Sequence, residues 1–457
     1  MIDRIKKYLD EKRTYFAEIS EKIWATPELA YGEYKSYIVL VEALREQGFE
    51  VETGICGIPT AFRAVWGKGK PVVGYLAEYD ALPGLSQEKC NPVHTPIVDG
   101  GPGHGCGHNC LGTCCAAAAC AAKQMMEEDG LEGTLIVYGC PAEEQGCGKA
   151  FMTRDGVFDE LDIAFAPHPS PFNVVLGDSM TANIQAIFRF KGIPAHAAAM
   201  PENGRSALDG ADLMIMGTQF LREHVNSEAR IHYAYLDVGG TAPNVVQASA
   251  ALLYYMRAPK VDQVQDIFAR MINIAKGAAL MTGTEMEYTI ESGMREVIPN
   301  DVLGNLVAEC WAEAGPIPYS EEAWEIARKM APAVGMDPAD PNILDTGVPV
   351  YRPTGKCMAG SSDVGDVSVK IPTVMVMTGG ELRATPGHSW QLVAQSGTRL
   401  MQDAMLHGSA ILADATMKVI ADPSIAEKAK EELMGRTGCK YECLIPDEIA
   451  PPIDKGM

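Results

Sequence analysis

Apolar residues recur at helical spacing over residues 2–20 and again over 37–47, where Gly48 ends the run. Val72-Val-Gly-Tyr-Leu-Ala77 is instead a short unbroken apolar stretch, the pattern of a strand buried on both faces. It runs into Glu78-Tyr-Asp80, so two carboxylates stand at its C-terminal end. Residues 90–110 hold Pro92, Pro96, Pro102 and glycines at 100, 101, 103, 105 and 107, which predicts a long irregular loop. A helix of small residues follows over 111–128, then strands over 134–138 and 161–166. This alternation predicts an α/β architecture, a mixed, largely parallel sheet flanked by helices. In such sheets ligands gather beyond the C-terminal strand ends.

The pattern changes near residue 182. Residues 183–190 alternate like a half-covered strand, and a helix is predicted over 207–222. Strands over 231–237 and 249–257, a helix over 261–279 and a strand over 285–290 complete the series. The order β-α-β-β-α-β is that of a ferredoxin-like α+β unit. An inserted domain is therefore expected at 183–297, dividing a first domain into 1–182 and 298–457. In the second half, 372–377 is a late core strand, 391–415 a long helix, and the tail from Asp422 polar.

Composition narrows the classes of function. The 457 residues are 47% apolar and 21% charged, as in a folded globular protein, with a net charge of −22. That charge repels phosphate backbones, so no nucleic-acid partner is expected. No run of eighteen apolar residues predicts a membrane span. No apolar leader follows Met1, so the expected location is the cytoplasm. The thirteen cysteines then read as reduced thiols, most of them small packing groups such as Cys115 and Cys120 beside Ala116–Ala119. Cys110 and Cys114 share one helix face and form no Cys-x-x-Cys pair, which argues against a thiol redox protein.

Four strings carry candidate chemistry. Gly103-His-Gly-Cys-Gly-His-Asn109 sets Cys106 and His108 two apart on a glycine-rich loop before a helix; thiolate and imidazole suit zinc and similar ions. Pro141-Ala-Glu-Glu-Gln145 follows a strand and points adjacent carboxylates in different directions, one toward an ion and one toward a water on it. Ala166-Pro-His-Pro169 puts His168 at a strand end, and Thr385-Pro-Gly-His-Ser389 puts His388 in a turn before a helix. Each string has an ordinary reading as a cap, a turn or a solvated acidic pair. Their placement on elements of one layered domain is what joins them.

With these strings the chain resembles the metal-dependent aminoacylase/carboxypeptidase family of co-catalytic metallopeptidases, over nearly its whole length. Cys106-Gly-His108 resembles the metal motif of that family's amidohydrolase branch. Ile23-Trp-Ala-Thr-Pro-Glu-Leu29 and Cys106-Gly-His-Asn-Cys-Leu-Gly-Thr113 are similar to the type acting on aminobenzoyl-glutamate. Asn109 and Leu111 stand where the hippurate and plant-hormone subgroups have Asp and His. The resemblance implies two divalent ions held by Cys106, His108, Glu144, His168 and His388, with Glu143 as general base. Zinc or manganese comes first, cobalt or nickel next. Glu78 and Asp80 are implied to orient ligands.

The inserted domain matches too. Gly192-Ile-Pro-Ala-His196 resembles the family's lid motif, whose histidine reaches the neighbouring protomer's site and stabilises the oxyanion. Gly239-Gly-Thr-Ala-Pro-Asn244 and Arg257 resemble the groups that hold the substrate's free carboxylate. The expectation is a metal-dependent amidohydrolase cleaving N-acyl or aroyl amino acids such as aminobenzoyl-glutamate. It would be a homodimer through a lid/dimerisation domain, with room for a related second subunit. The alternatives are a dipeptidase, for example on β-alanyl dipeptides, and a non-catalytic metal-binding subunit, against which Glu143 counts.

Overall fold

The strands Val72–Ala77 and Gly133–Gly139 are buried at every position, and a sheet can bury both faces only under two layers of helices. The computed structural model describes residues 1–456. In it these strands lie at the centre of a seven-stranded sheet. The order is Glu50–Thr53, Phe62–Lys68, Gly133–Gly139, Val72–Ala77, Ile163–Ser170, Thr373–Gly379, Val174–Val175. The four middle strands run parallel, and the three outer ones pair antiparallel. Val73, Tyr75 and Ala77 enter one apolar core, Val72 and Leu76 the other, as the two-residue period of a strand requires.

The helix His108–Asp129 covers one face, and Arg399–Ala421 packs beside it. Ala116, Ala117, Ala118 and Ala119 are fully buried there, small enough to let backbones approach. The inserted unit is a four-stranded antiparallel sheet in the order Glu285–Met294, Ala182–Lys191, Ser249–Ala258, Arg230–Asp237. Even-numbered residues from Ala182 to Phe190 and from Ala250 to Ala258 pack on the helices Ala207–Leu221 and Val261–Thr282. The β-α-β-β-α-β expectation holds in this order of elements.

The structure corrects several boundaries. The N-terminal helix is two, Ile2–Glu11 and Arg13–Ala25, because Lys12 leaves helical geometry at ψ 6°. The helix expected over 391–415 is also two, Trp390–Ser396 and Arg399–Ala421, parted where Gly397 lies against the Trp24 ring. The polar tail forms a helix, Ser424–Thr437, that buries Ala426, Ala429 and Leu433 on one stripe. The strand expected over 161–166 runs instead over Ile163–Ser170, so His168 near its end is a paired strand residue opposite Met377. All thirteen cysteines are unpaired. Among the described residues no helix is long and apolar enough to cross a membrane.

Candidate metal centre

Parallel strands deliver their C-terminal ends to one edge of the sheet, and the four strings meet there. Glu78 and Asp80 leave the end of Val72–Ala77, Glu143 and Glu144 follow Gly133–Gly139, and His168 lies near the end of Ile163–Ser170. His108 opens the helix His108–Asp129 behind the left-handed Gly107, at φ 74°. A Cβ on Gly107 would also lie 2.7 Å from Pro169, so only glycine lets this loop pass the His168 strand.

The neighbouring loop is held by a buried acid absent from the strings. Glu33 accepts the amides of Tyr31 and Ala142, each at 2.9 Å, and the hydroxyl of Thr60 at 2.9 Å. Ala142 has φ 62°, so this clasp stabilises an unfavourable backbone directly before Glu143. Burial, reinforced by the charge of Asp80, pushes the Glu33 carboxyl up to about 8.

Donor atoms converge in overlapping groups. Cys106, His108 and His168 form one; Cys106, Glu144 and His388 form a second; Glu78, His108 and Glu143 form a third, each within 4.8 Å. Cys106 Sγ is 3.4 Å from His168 Nε2, and His388 Nε2 is 3.4 Å from Glu144 Oε2. Donors about 2.0–2.3 Å from one tetrahedral ion stand about 3.3–3.7 Å apart. Cys106 belongs to two groups and can bridge them. His108 donates from Nδ1 to Asp80 Oδ1 at 2.8 Å, and the Glu144 amide donates to Asp80 Oδ2 at 2.9 Å. Asp80 thus fixes both an imidazole and the backbone of a carboxylate donor, as a ligand-orienting group does.

The electrostatics fit divalent cations. Glu78 Oε2, His108 Nε2 and Glu144 Oε1 are buried without a hydrogen-bond partner. Such orphans are costly unless something else meets them. Glu78, Glu143 and Asp363 crowd about a single buried ammonium, Lys149, with Asp80 and Glu144 close by. Burial pushes Glu143 well above the ordinary carboxylate range, and the charges of Glu78, Asp363 and Glu144 push it further. Burial raises Glu144 and Asp363 as well. Burial alone would raise Asp80 too, but His108 beside it holds it below its usual value. For His168, burial and the nearby His108 bring the imidazole down to about 4, leaving it neutral and able to donate a lone pair. Hard carboxylate, borderline imidazole and soft thiolate donors together suit divalent metal ions.

Two of the expected residues lie away from this cluster. His196 and Asn244 sit side by side in the inserted domain: Ala197 donates to the Asn244 carbonyl at 3.0 Å, and His196 bridges Val245. Both are exposed. Arg257 pairs with Asn183 at the opposite end of the ten-residue strand Ala182–Lys191, 3.5 Å from the carbonyl of Ala359. At about 3.3 Å per residue, that puts roughly 25–30 Å between His196 and Arg257 within one chain. The chain therefore gathers all five expected donors and Glu143, and leaves His196 and Asn244 at the far tip.

Lys149 and Asp363 escaped the sequence reading. Lys149 is fully buried, donates to Glu78 Oε1 at 2.7 Å and pairs with Asp363, which also takes the Lys149 amide at 2.9 Å. The one local signal was a lysine within the run Cys147-Gly-Lys-Ala-Phe-Met152, where its neighbours are apolar or small.

Known proteins complete the identification. The chain is 39% identical to one subunit of the p-aminobenzoyl-glutamate hydrolase of Escherichia coli (strain K12), covering 98% of this chain and 99% of that one. It is 29% identical to the Xaa-Arg dipeptidase of Mus musculus, over 97% and 93% of the two chains. The other named subunit of the E. coli hydrolase is 31% identical over 52% of this chain and 55% of its own. Among solved structures, a dinuclear metal-binding peptidase of the M20 family from Bacillus subtilis superposes with a TM-score of 0.60 at 20% identity. It covers 90% of this chain and 99% of that chain. The aminobenzoyl-glutamate utilization protein of Klebsiella pneumoniae does so with a TM-score of 0.59 at 18% identity, over 88% and 98%. The profile of peptidase family M20/M25/M40 matches residues 74–413, and the chain belongs to that family.

Proposed function

We propose that this metal-dependent amidohydrolase removes an acyl or aroyl group from an amino acid with a free carboxylate, with aminobenzoyl-glutamate as the leading substrate. The observation that carries the reading is the pair of donor groups sharing Cys106, with Glu143 beside them. Cys106, His108 and His168 would hold one ion, and Cys106, Glu144 and His388 the other. Zinc or manganese is the preferred pair. When bound, such ions polarise an amide carbonyl and acidify water.

Glu143 takes the proton of the attacking water at its carboxylate and returns it to the leaving nitrogen, a role its lack of hydrogen-bonded partners leaves open. His108 is kept in the tautomer with a free Nε2 by Asp80. Arg257, beside the segment that carries Asp363, would receive the substrate carboxylate with its fork of donors. His196 and Asn244 would serve the neighbouring protomer's site in a dimer formed through the lid at 183–297. The 39% relative is, by its name, one of two related polypeptides of a single hydrolase, which supports an additional partner of this kind here. We assign the protein to the cytoplasm.

The test is a panel of N-acyl amino acids and dipeptides, given to protein reconstituted with zinc or manganese, with release of the free amino acid followed. Aminobenzoyl-glutamate cleaved fastest supports the reading. Faster cleavage of dipeptides with a basic C-terminal residue would favour the dipeptidase reading, for which the mouse relative speaks. Tight ion binding without turnover of any amide would leave a non-catalytic metal-binding protein.

A further inference from the structure

His108 Nε2 and Glu78 Oε2 lie 3.3 Å apart, both fully buried, and neither has a hydrogen-bond partner. With Nδ1 bonded to Asp80, His108 presents Nε2 to Glu78. Two buried polar atoms without hydrogen-bond partners are costly, and a cation bound by both would relieve that cost. The separation is that of two donors on one tetrahedral ion, about 3.3 Å. It also matches the Cys106–His168 and Glu144–His388 pairs, each at 3.4 Å.

The other oxygen of Glu78 explains why this carboxylate stays in place. Oε1 accepts from Lys149 at 2.7 Å, and Lys149 is pinned on its far side by Asp363. The ammonium is inaccessible to solvent. One oxygen is tethered and the other is free, the arrangement of a monodentate donor oriented from behind.

We propose that Glu78 is a further protein donor to the ion held by His108, and that Lys149 and Asp363 are the residues that position it. The inference rests on the two-ion reading above. It adds a donor on the His108 side of that ion, in the group Glu78, His108 and Glu143, whereas the ion of Glu144 and His388 gains none.

The experiment is titration of the ion-free full-length chain with zinc against a chromogenic chelator, with cobalt absorption as a second readout. Wild type should take up two ions. Glu78→Gln, nearly the same shape, should weaken one of them by about 10- to 100-fold, leave the other unchanged and alter the cobalt d–d bands. Lys149→Met should weaken the same ion by less. Because Glu78→Gln leaves a buried ammonium short of an anion, the double variant Glu78→Gln/Lys149→Met provides a second reading if the single one folds poorly. Unchanged affinity and an unchanged cobalt spectrum in either Glu78 variant would overturn the proposal and leave Glu78 as a counterion. Uptake of one ion by wild type would overturn the two-ion reading instead; Glu78→Gln is then judged on that ion by the same criterion.

Discussion

Asp80 Oδ1 and His108 Nδ1 are 2.8 Å apart at a position where neither side chain touches solvent. The bond sets which nitrogen of His108 is free and where it points. Asp80→Ala is expected to lower ion affinity by about 10- to 100-fold. Isothermal titration with zinc measures this. An Asp80→Ala variant that binds like wild type would show that packing alone orients the ring.

Glu143 and Glu144 are adjacent but face different partners. Glu144 Oε2 meets His388 at 3.4 Å, whereas Glu143 groups with Glu78 and His108. Glu143→Ala should slow turnover by about 100- to 10,000-fold while bound metal stays nearly unchanged. Glu144→Ala should lose an ion. Elemental analysis beside rate measurement separates them, and the opposite pattern would exchange their roles.

Much of this site was legible because metal ligands are chemically restricted and cluster in short strings. Cys106-Gly-His108 and Glu143-Glu144 stand out by residue type, and the family resemblance is what joined them into one expected ligand set. Lys149 and Asp363 do not, since they pair across 214 positions and the only local signal is the apolar and small neighbours of Lys149. Glu33 was hidden similarly: its partners Ala142 and Thr60 are backbone and hydroxyl groups, which leave no pattern in composition. In the fold, unbroken apolar strands were easy to place. Glu50–Thr53 was not, being short, polar and at the sheet edge, where burial imposes no alternation.

The Glu33 clasp makes a stability prediction. Glu33→Ala leaves the amides of Tyr31 and Ala142 and the Thr60 hydroxyl without their acceptor, at a cost of about 1–3 kcal/mol. Glu33→Gln keeps one oxygen for the two amides and should cost much less. Because burial raises this carboxyl to about 8, the folded state holds its proton where the unfolded chain has lost it. Its contribution is therefore fully present below the unfolded value and lost as pH rises toward 8. Denaturant midpoints between pH 5 and 9 should fall more steeply in wild type than in Glu33→Gln.

Ion uptake should release protons. Burial, then the charge of Glu144, pushes the Cys106 thiol well above its ordinary value, so the ion-free site carries that proton at neutral pH. A thiolate ligand must shed it, and apparent affinity should climb with pH across the neutral range. Calorimetry in two buffers of different ionisation enthalpy counts the protons. Cys106→Ala should release about one fewer; an unchanged count would remove Cys106 from the ligand set.

The far placement of His196 makes the last prediction. Arg257 pairs with Asn183 near one end of the strand Ala182–Lys191, and His196 follows its other end. No side-chain rotation spans the roughly 25–30 Å between those ends. If His196 acts in catalysis it acts on another protomer, which requires a dimer. The edge strand Arg230–Asp237 is exposed along most of its length, with Tyr233, Tyr235 and Leu236 uncovered. Pairing with its two-fold mate would cover an edge that otherwise invites aggregation. Glu143→Ala and His196→Ala should each be inactive alone. Mixed under conditions of protomer exchange, one site of each heterodimer inherits both defects and the other neither. Activity should return to about half of wild type per heterodimer, provided the sites act independently. Exchange shown by mass spectrometry without recovered activity would mean that His196 does not serve its neighbour.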